Sequence, residues 1–353
     1  MKTAITELFG ITYPILNAGM GKVALPKMVA AVSNAGGLGN YGAGSHPPEV
    51  TRAAIREIRS LTDKPFAANV PLALPNGKEN MQVLLEERVP IINYSMGKGD
   101  WIVKRAHGYG GKVVASVNGV QLAKRAQEHG VDAVIATGHE AAGHASDVTT
   151  FVLIPRLAET LRIPIIAAGG IGNGAGLAAA LALGADGVSM GTCFLTTQES
   201  PLHQNFKKKA IESEIDNTIF STRFDGFPCR VLQSSGAERM VKARLNVVKI
   251  FLDSFSIAKE LDTPYLKLLW QVLSLGPTRI EQMMRMSRML KSHVITLTTG
   301  DLEAGVTAAG MSVGLVHDAP TVAELIERVV KEAHASRNKL NVQIVNVVTP
   351  VGK

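Results

Sequence analysis

Cysteine is nearly absent from this chain. Two thiols in 353 residues, Cys193 and Cys229, cannot build a disulfide framework and lack metal-ligand spacing. Aromatic residues make up only 5%, and basic clusters are short, which excludes the usual nucleic-acid modules. No apolar run approaches the ~20 residues of a membrane span. The N-terminal stretch MKTAITELFG lacks an uninterrupted apolar core and carries Glu7 early, so it does not read as a secretory signal. The expectation is a reducing, cytoplasmic setting with neither a membrane nor a nucleic-acid partner.

What the chain does have is apolar content and glycine. It is 46% hydrophobic with 34 glycines, enough for one large domain with an appendage, or for two domains. The net charge of +7 is uneven. Residues 201–300 carry 15 Lys+Arg against 9 Asp+Glu, whereas the rest carries 22 against 21. That excess suits an acidic partner or a phosphate-bearing cosubstrate, and equally a solvated basic face.

The first 200 residues alternate short apolar runs with helical patterns. The runs are Tyr13–Ala18, Gly37–Tyr41, Pro65–Val70, Val89–Ser95, Lys112–Val117, Asp132–Thr137, Ile163–Gly169 and Gly187–Gly191. Between them lie amphipathic stretches such as PPEVTRAAIREIRSL and NGVQLAKRAQEHG. Many start after Pro, Asn or Thr and stop at Gly. Runs that are apolar throughout suggest strands covered on both faces. Eight β-α units predict a (β/α)₈ TIM barrel of the α/β class. A doubly wound sheet is the alternative, although it normally uses fewer units. After Gly191 the rhythm breaks. The segments SPLHQNFKKKAIES, AERMVKARLNVVKIFLDSF, PYLKLLWQVLSL and PTRIEQMMRMSRMLKSH read as helices. The expected domains are a barrel over 1–199, a small helical substrate or lid domain over 200–310, and a segment 311–353 whose helix returns to the barrel.

In such a barrel the working groups project from the loops after the strands. NAGMG, Asn17 to Gly21, follows strand 1 and would let a flat ligand approach the backbone. AAGGIGNGAG, Ala167 to Gly176, and SMGTCF, Ser189 to Phe194, follow strands 7 and 8. Glycine-rich turns that open helices present N–H groups and a partial positive charge, so these two loops point to a phosphorylated ligand. ATGHEAAGH, Ala136 to His144, follows strand 6. A histidine among small residues at a barrel mouth can reach a substrate stacked on a flat cofactor and exchange a proton near neutral pH. His144 is the candidate catalytic residue. His139 is balanced between function and structure, and Glu140 reads as structural.

The stretches EAAGH, AAGGIGNGAGLAAALALGADGVSMGTCFL, NAGMG and AAVSNAGGLG resemble the nitronate monooxygenase family, formerly the 2-nitropropane dioxygenases. The same superfamily holds FMN-dependent enoyl-acyl-carrier-protein reductases and NAD(P)H:quinone reductases. The resemblance extends over essentially the whole chain. It implies FMN across the barrel mouth, its phosphate held by Gly169, Gly170, Gly191 and Thr192 and its ring near Ala18, Gly19, Met20 and Asn69. Thr137, Ala142, Gly143, Ser189 and Met190 complete the implied cofactor-binding set, and no metal is implied. His144 matches the family histidine that acts as a base towards a nitroalkane. The implied activity is oxidation of alkyl nitronates with O2 to carbonyl compounds and nitrite. The alternative is an NAD(P)H-dependent enoyl or quinone reductase, with NAD(P)H as cosubstrate and, for the enoyl case, an acyl carrier protein as partner.

Overall fold

The computed structural model describes residues 1–44, 46–243 and 277–348. Eight strands form one parallel sheet: β1 (Ile15–Asn17), β2 (Gly39–Gly42), β3 (Phe66–Pro71), β4 (Ile91–Ser95), β5 (Lys112–Val117), β6 (Ala133–Thr137), β7 (Ile165–Ala168) and β8 (Gly187–Met190). Each falls on one of the apolar runs, displaced by no more than a residue or two at its ends. Helix α1 (Ala4–Phe9) precedes β1. Helices α2 (Pro26–Asn34), α3 (Pro48–Leu61), α4 (Gly77–Glu86), α5 (Asp100–His107), α6 (Val120–Glu128), α7 (Thr150–Thr160) and α8 (Gly174–Ala182) link consecutive strands.

The strand order β1-β8-β7-β6-β5-β4-β3-β2 is that of a (β/α)₈ barrel. Closure between β1 and β2 rests on a single bridge, Leu16 to Leu38. The Asn17 side chain extends that seam. Its Oδ1 accepts from Asn40 N at 2.8 Å, and its Nδ2 donates to Asn40 O at 3.0 Å. A buried amide thus takes the place of one more backbone pair, which satisfies the peptide N–H and C=O of Asn40.

Strand alternation sorts the barrel interior into layers. Leu16, Leu38, Ala67, Ile91, Val114, Ala133 and Ile166 form an apolar plug, sealed from below by Ile5 and Phe9 of α1. The alternate residues, among them Ile15, Ala68, Ile92, Ala115, Val134 and Val188, face the helices in the larger core. Beyond the plug, towards the C-terminal ends of the strands, the inward positions turn small or polar, except in β6, where Ile135 still belongs to the plug.

After β8 come α9 (Thr192–Leu195) and α10 (Gln204–Ile211), then an antiparallel hairpin, β9 (Thr218–Ser221) with β10 (Cys229–Leu232). The segment expected to be helical therefore contains a β-hairpin. Two four-residue strands are too short to announce themselves by periodicity. Helix α11 (Ser235–Lys242) occupies the first part of AERMVKARLNVVKIFLDSF. The remainder of that stretch, and all of PYLKLLWQVLSL, lie outside the described residues. Helix α12 (Pro277–Thr299) and a 3₁₀ turn (Met311–Leu315) follow. The last helix, α13 (Val322–Val348), returns to pack on α8 and α2. Gly174 N donates to Glu332 Oε2 at 2.8 Å there, and a Cβ at Gly174 would stand 2.3 Å from Val329 O. Among the described residues, no helix is long and apolar enough to cross a membrane.

Candidate active site

The inward positions above the plug are Ala18, just past β1, and Asn40, Asn69, Asn93, Ser116, Thr137, Ala168 and Ser189 from β2 to β8, and all eight line one cleft. The cleft measures about 1100 Å³. Its floor is a ring of amides, hydroxyls and methyls. Asn93 and Ser116 bond each other at 3.2 Å, and Asn69 Nδ2 donates to Gly19 O at 3.1 Å. Oδ1 of Asn40 and Oδ1 of Asn69 are buried without a partner in the protein. Buried polar atoms are rarely left so, and two on one floor call for a ligand that donates.

The glycine loops form one wall. Gly169 and Gly170 have φ of +103° and +75°, which favours glycine, and both line the cleft. A Cβ at Gly191 would meet only Ala18 at 3.6 Å and Met20 at 3.8 Å, so open space borders this backbone. Glu140 braces the wall. Its carboxylate accepts from Thr150 N at 2.9 Å and Thr150 Oγ1 at 2.9 Å, at the first turn of α7. Its chain lies 3.3 Å from where a Cβ on Gly170 would stand.

His144 sits on the lip. Its Nε2 lies 2.6 Å from Asp225 Oδ2, and Asp225 is buried in the turn of the hairpin. Asp225 Oδ1 accepts from Phe227 N at 3.0 Å, and the Phe227 ring meets the imidazole edge-on at 5.4 Å. A carboxylate only accepts, so it binds the proton-bearing Nε2 and leaves Nδ1 as the basic nitrogen. Gly143 and Arg230 exchange backbone bonds at 3.0 and 2.9 Å, which clamps the His144 loop to β10.

His139 is occupied elsewhere. Arg230 Nη2 donates to its Nε2 at 2.9 Å, and its Nδ1 faces Ser146 O at 2.9 Å. An arginine cannot accept, so the proton sits on Nδ1. Buried Arg230 also stacks over Phe220 at 5.0 Å, and its guanidinium pKa is lowered by burial. His139 and Arg230 hold the hairpin in place, which settles the balance for His139 towards structure.

The α12 side of the cleft carries His293 and Thr307, bonded at 3.2 Å. Burial, helped by the nearby charge of Lys22, depresses the His293 pKa to about 4. His144, Asp225 and Cys229 place possible metal-ligating atoms within 4.8 Å of one another. Burial raises the Cys229 thiol pKa, however, and Nε2 and Oδ2 already satisfy each other, so the trio suits proton handling better than a cation.

Of the residues expected to hold a cofactor, Ala18, Gly19, Met20, Asn69, Thr137, Ala142, Gly143, Gly169, Gly170, Ser189, Gly191 and Thr192 all line this cleft, as does His144. Met190 does not. It falls on the outward face of β8 and its side chain lies in the barrel–helix core, leaving only its carbonyl, which accepts from Ala18 N at 2.8 Å. Thr192 also spends its hydroxyl within the protein, accepting from Gly310 N at 2.9 Å. Sequence reasoning missed Asn40, Asn93, Ser116, Asp225 and His293. The first three were readable as the inward position two residues past each plug residue. Asp225 had no local signal.

The nitronate monooxygenase family profile matches residues 2–82 and 72–332. A (3aS,4S,5R,7aS)-5-hydroxy-7a-methyl-1-oxo-octahydro-1H-indene-4-carboxyl-CoA dehydrogenase of Rhodococcus jostii is 33% identical over 94% of this chain and 96% of its own. A probable nitronate monooxygenase of Staphylococcus saprophyticus is 32% identical over 68% of this chain and 81% of its own. Among solved structures, FabK from Thermotoga maritima superposes with a TM-score of 0.81 at 34% identity, covering 97% of this chain and 99% of its own. A nitroalkane oxidase from Streptomyces ansochromogenes gives 0.76 at 26%, covering 96% and 100%.

Proposed function

The chain belongs to the nitronate monooxygenase family of oxidoreductases, and from that premise we propose that it uses FMN to oxidise alkyl nitronates with O2 to carbonyl compounds and nitrite. The observation that carries this reading is the His144–Asp225 pair on the lip of a cleft floored by unpartnered amides. The cleft fits the cofactor. Gly169, Gly170 and Gly191 would take the phosphate through backbone N–H groups, with Thr192 beside them. Ala18, Gly19, Met20 and Asn69 would border the ring, and the free Oδ1 of Asn40 and Asn69 would accept from N–H groups. When bound, FMN supplies the electron acceptor that no side chain offers.

The protein's own part is binding and proton movement. His144 Nδ1 takes the proton from the carbon beside the nitro group when the substrate arrives as a neutral nitroalkane. Asp225 then faces an imidazolium and stabilises it, while Phe227 N–H and the hairpin clamp keep the carboxylate in place. A substrate that arrives as the nitronate needs no base, and His144 then holds its negative charge in the imidazolium form, donating from Nδ1 while Asp225 faces Nε2.

A second reading has its own support. A cleft of about 1100 Å³ with apolar walls from Leu74, Leu122, Val148 and Leu290 exceeds what FMN and a small nitronate need. Reduction or oxidation of an acyl thioester, with the same histidine moving the proton beside the carbonyl, would use that space. Anaerobic mixing of the purified yellow protein with a nitronate, NADH, NADPH or an acyl-CoA, following the flavin absorbance, separates the two. Bleaching by the nitronate with nitrite release on aeration supports the first. Bleaching only by a nicotinamide or a thioester overturns it in favour of the second. A colourless protein that takes up no FMN would sink both.

A further inference from the structure

Beyond the polar floor, the loops after β3 and β4 build a second hollow of about 380 Å³. Leu72, Lys78, Met96, Lys98, Asp100 and Trp101 bound it. It adjoins the main cleft: Met96 lines both, and Ser95, Ala73 and Leu74 line the cleft beside it. The two loops are locked together. Leu72 N donates to Ser95 O at 2.9 Å, and a Cβ on Gly97 would stand 2.7 Å from that of Leu72. Met96 holds a left-handed φ of +54°.

Its chemistry is mixed in a particular way. Trp101 is 38% exposed, although an indole of that size is ordinarily covered. Leu72 and Met96 add apolar lining, and two lysines, Lys78 and Lys98, line the same hollow. An aromatic face for a flat ring, with cations for phosphates alongside, suits a nucleotide. Asp100 repels phosphate and accepts from an exocyclic amine, which sets the base on its side and the phosphates towards the lysines. We propose that this hollow is a subsite for the adenosine-phosphate tail of a cosubstrate whose reactive end lies over the polar ring of the main cleft. The tail would belong to a coenzyme A thioester or to a reduced nicotinamide dinucleotide. The proposal rests on the oxidoreductase reading only in that the main cleft must take such a partner.

The test is binding to the FMN-loaded enzyme by calorimetry, with Trp101 fluorescence as a second signal. Wild type, Trp101→Ala, Trp101→Phe and the double variant Lys78→Ala/Lys98→Ala are titrated with coenzyme A, NADPH and NADH. The same proteins are titrated with the tail-less pantetheine and reduced nicotinamide mononucleotide, and with ADP alone. In wild type at least one whole cosubstrate should bind about tenfold more tightly than its tail-less form, the size of one stacked base. Trp101→Ala should erase that ratio, Trp101→Phe should keep most of it, and the lysine pair should weaken ADP without touching pantetheine. Comparing 3′-phospho-ADP, ADP-ribose and 2′-phospho-ADP-ribose identifies the source of the tail by the tightest binder. An unchanged ratio in Trp101→Ala with the flavin spectrum intact would overturn the subsite. So would ADP that neither binds nor perturbs Trp101. Failure of FMN to bind would instead sink the proposed function, and ADP binding at Trp101 can still be read in that case.

Discussion

Replacing Asp225 by asparagine changes one atom and should disable the histidine that it holds. Asp225 meets two donors at once: Phe227 N–H on Oδ1 at 3.0 Å and His144 on Oδ2 at 2.6 Å. A carboxylate can accept both. An amide has one acceptor oxygen. If that oxygen keeps the partly buried backbone N–H of Phe227, the NH₂ group turns to His144 Nε2 and must donate. Nε2 then loses its proton and Nδ1 gains one, so the base offered to the cleft disappears. The loss on a neutral nitroalkane should approach the ~10²–10⁴-fold usual for a general base. On a preformed nitronate only one charge-assisted hydrogen bond is weakened, worth about 1–2 kcal/mol or roughly tenfold, and solvent at the exposed imidazole reduces it further. The assay is kcat/KM for both substrates in wild type and variant, with the flavin spectrum as the check on folding. A variant that loses nitroalkane and nitronate activity equally would show that Asp225 only supports the loop. Unchanged nitroalkane turnover would refute the tautomer argument altogether.

His144→Ala should keep the fold and flavin but lose ~10²–10⁴-fold of nitroalkane turnover, and less with nitronate; equal rates with nitroalkane, nitronate, enoyl thioester and quinone would make the residue structural. Gly170→Asp puts a side chain at φ +75° beside Glu140 and a negative charge where phosphate is proposed, so FMN affinity should drop ~100-fold or more by equilibrium dialysis. Undiminished FMN binding would place the phosphate elsewhere. His293 titrates at about 4 in the folded protein against 6.5 when unperturbed. The unfolded chain therefore binds more protons between those values, and stability present above pH 6.5 should fall as pH drops towards 4. Urea unfolding of wild type and His293→Gln across that window checks it, and an identical slope in both would assign the proton uptake to another group.

The strands were legible because a buried parallel strand is a short apolar run with turn residues at each end, and eight such runs leave few alternatives to a barrel. The glycine pair Gly169–Gly170 was legible because left-handed backbone and close approach both demand glycine. His144 stood out as an ionisable group among small residues past a strand. Asn40, Asn93 and Ser116 did not, since each is one polar residue at the end of an apolar run and reads as a boundary. The 4-residue strands β9 and β10 hid for the opposite reason, being shorter than the window in which alternation can be told from chance.

The β-α rhythm, the small-residue loops at the strand ends and the family could all be read along the chain. Those are local properties, set by propensity, period and the need of particular backbone angles for glycine. Tertiary structure alone decided which groups meet. Strand alternation turned Ser189 into the cleft and Met190 out into the core, one residue apart in the chain. Arg230 ties His139 to the hairpin by donating to its Nε2. Asp225, 81 residues beyond His144, reached it because the β9–β10 hairpin folds back over the barrel mouth and clamps to Gly143. The pairing of a base with its carboxylate is a matter of distance in space, and no spacing along a chain encodes it.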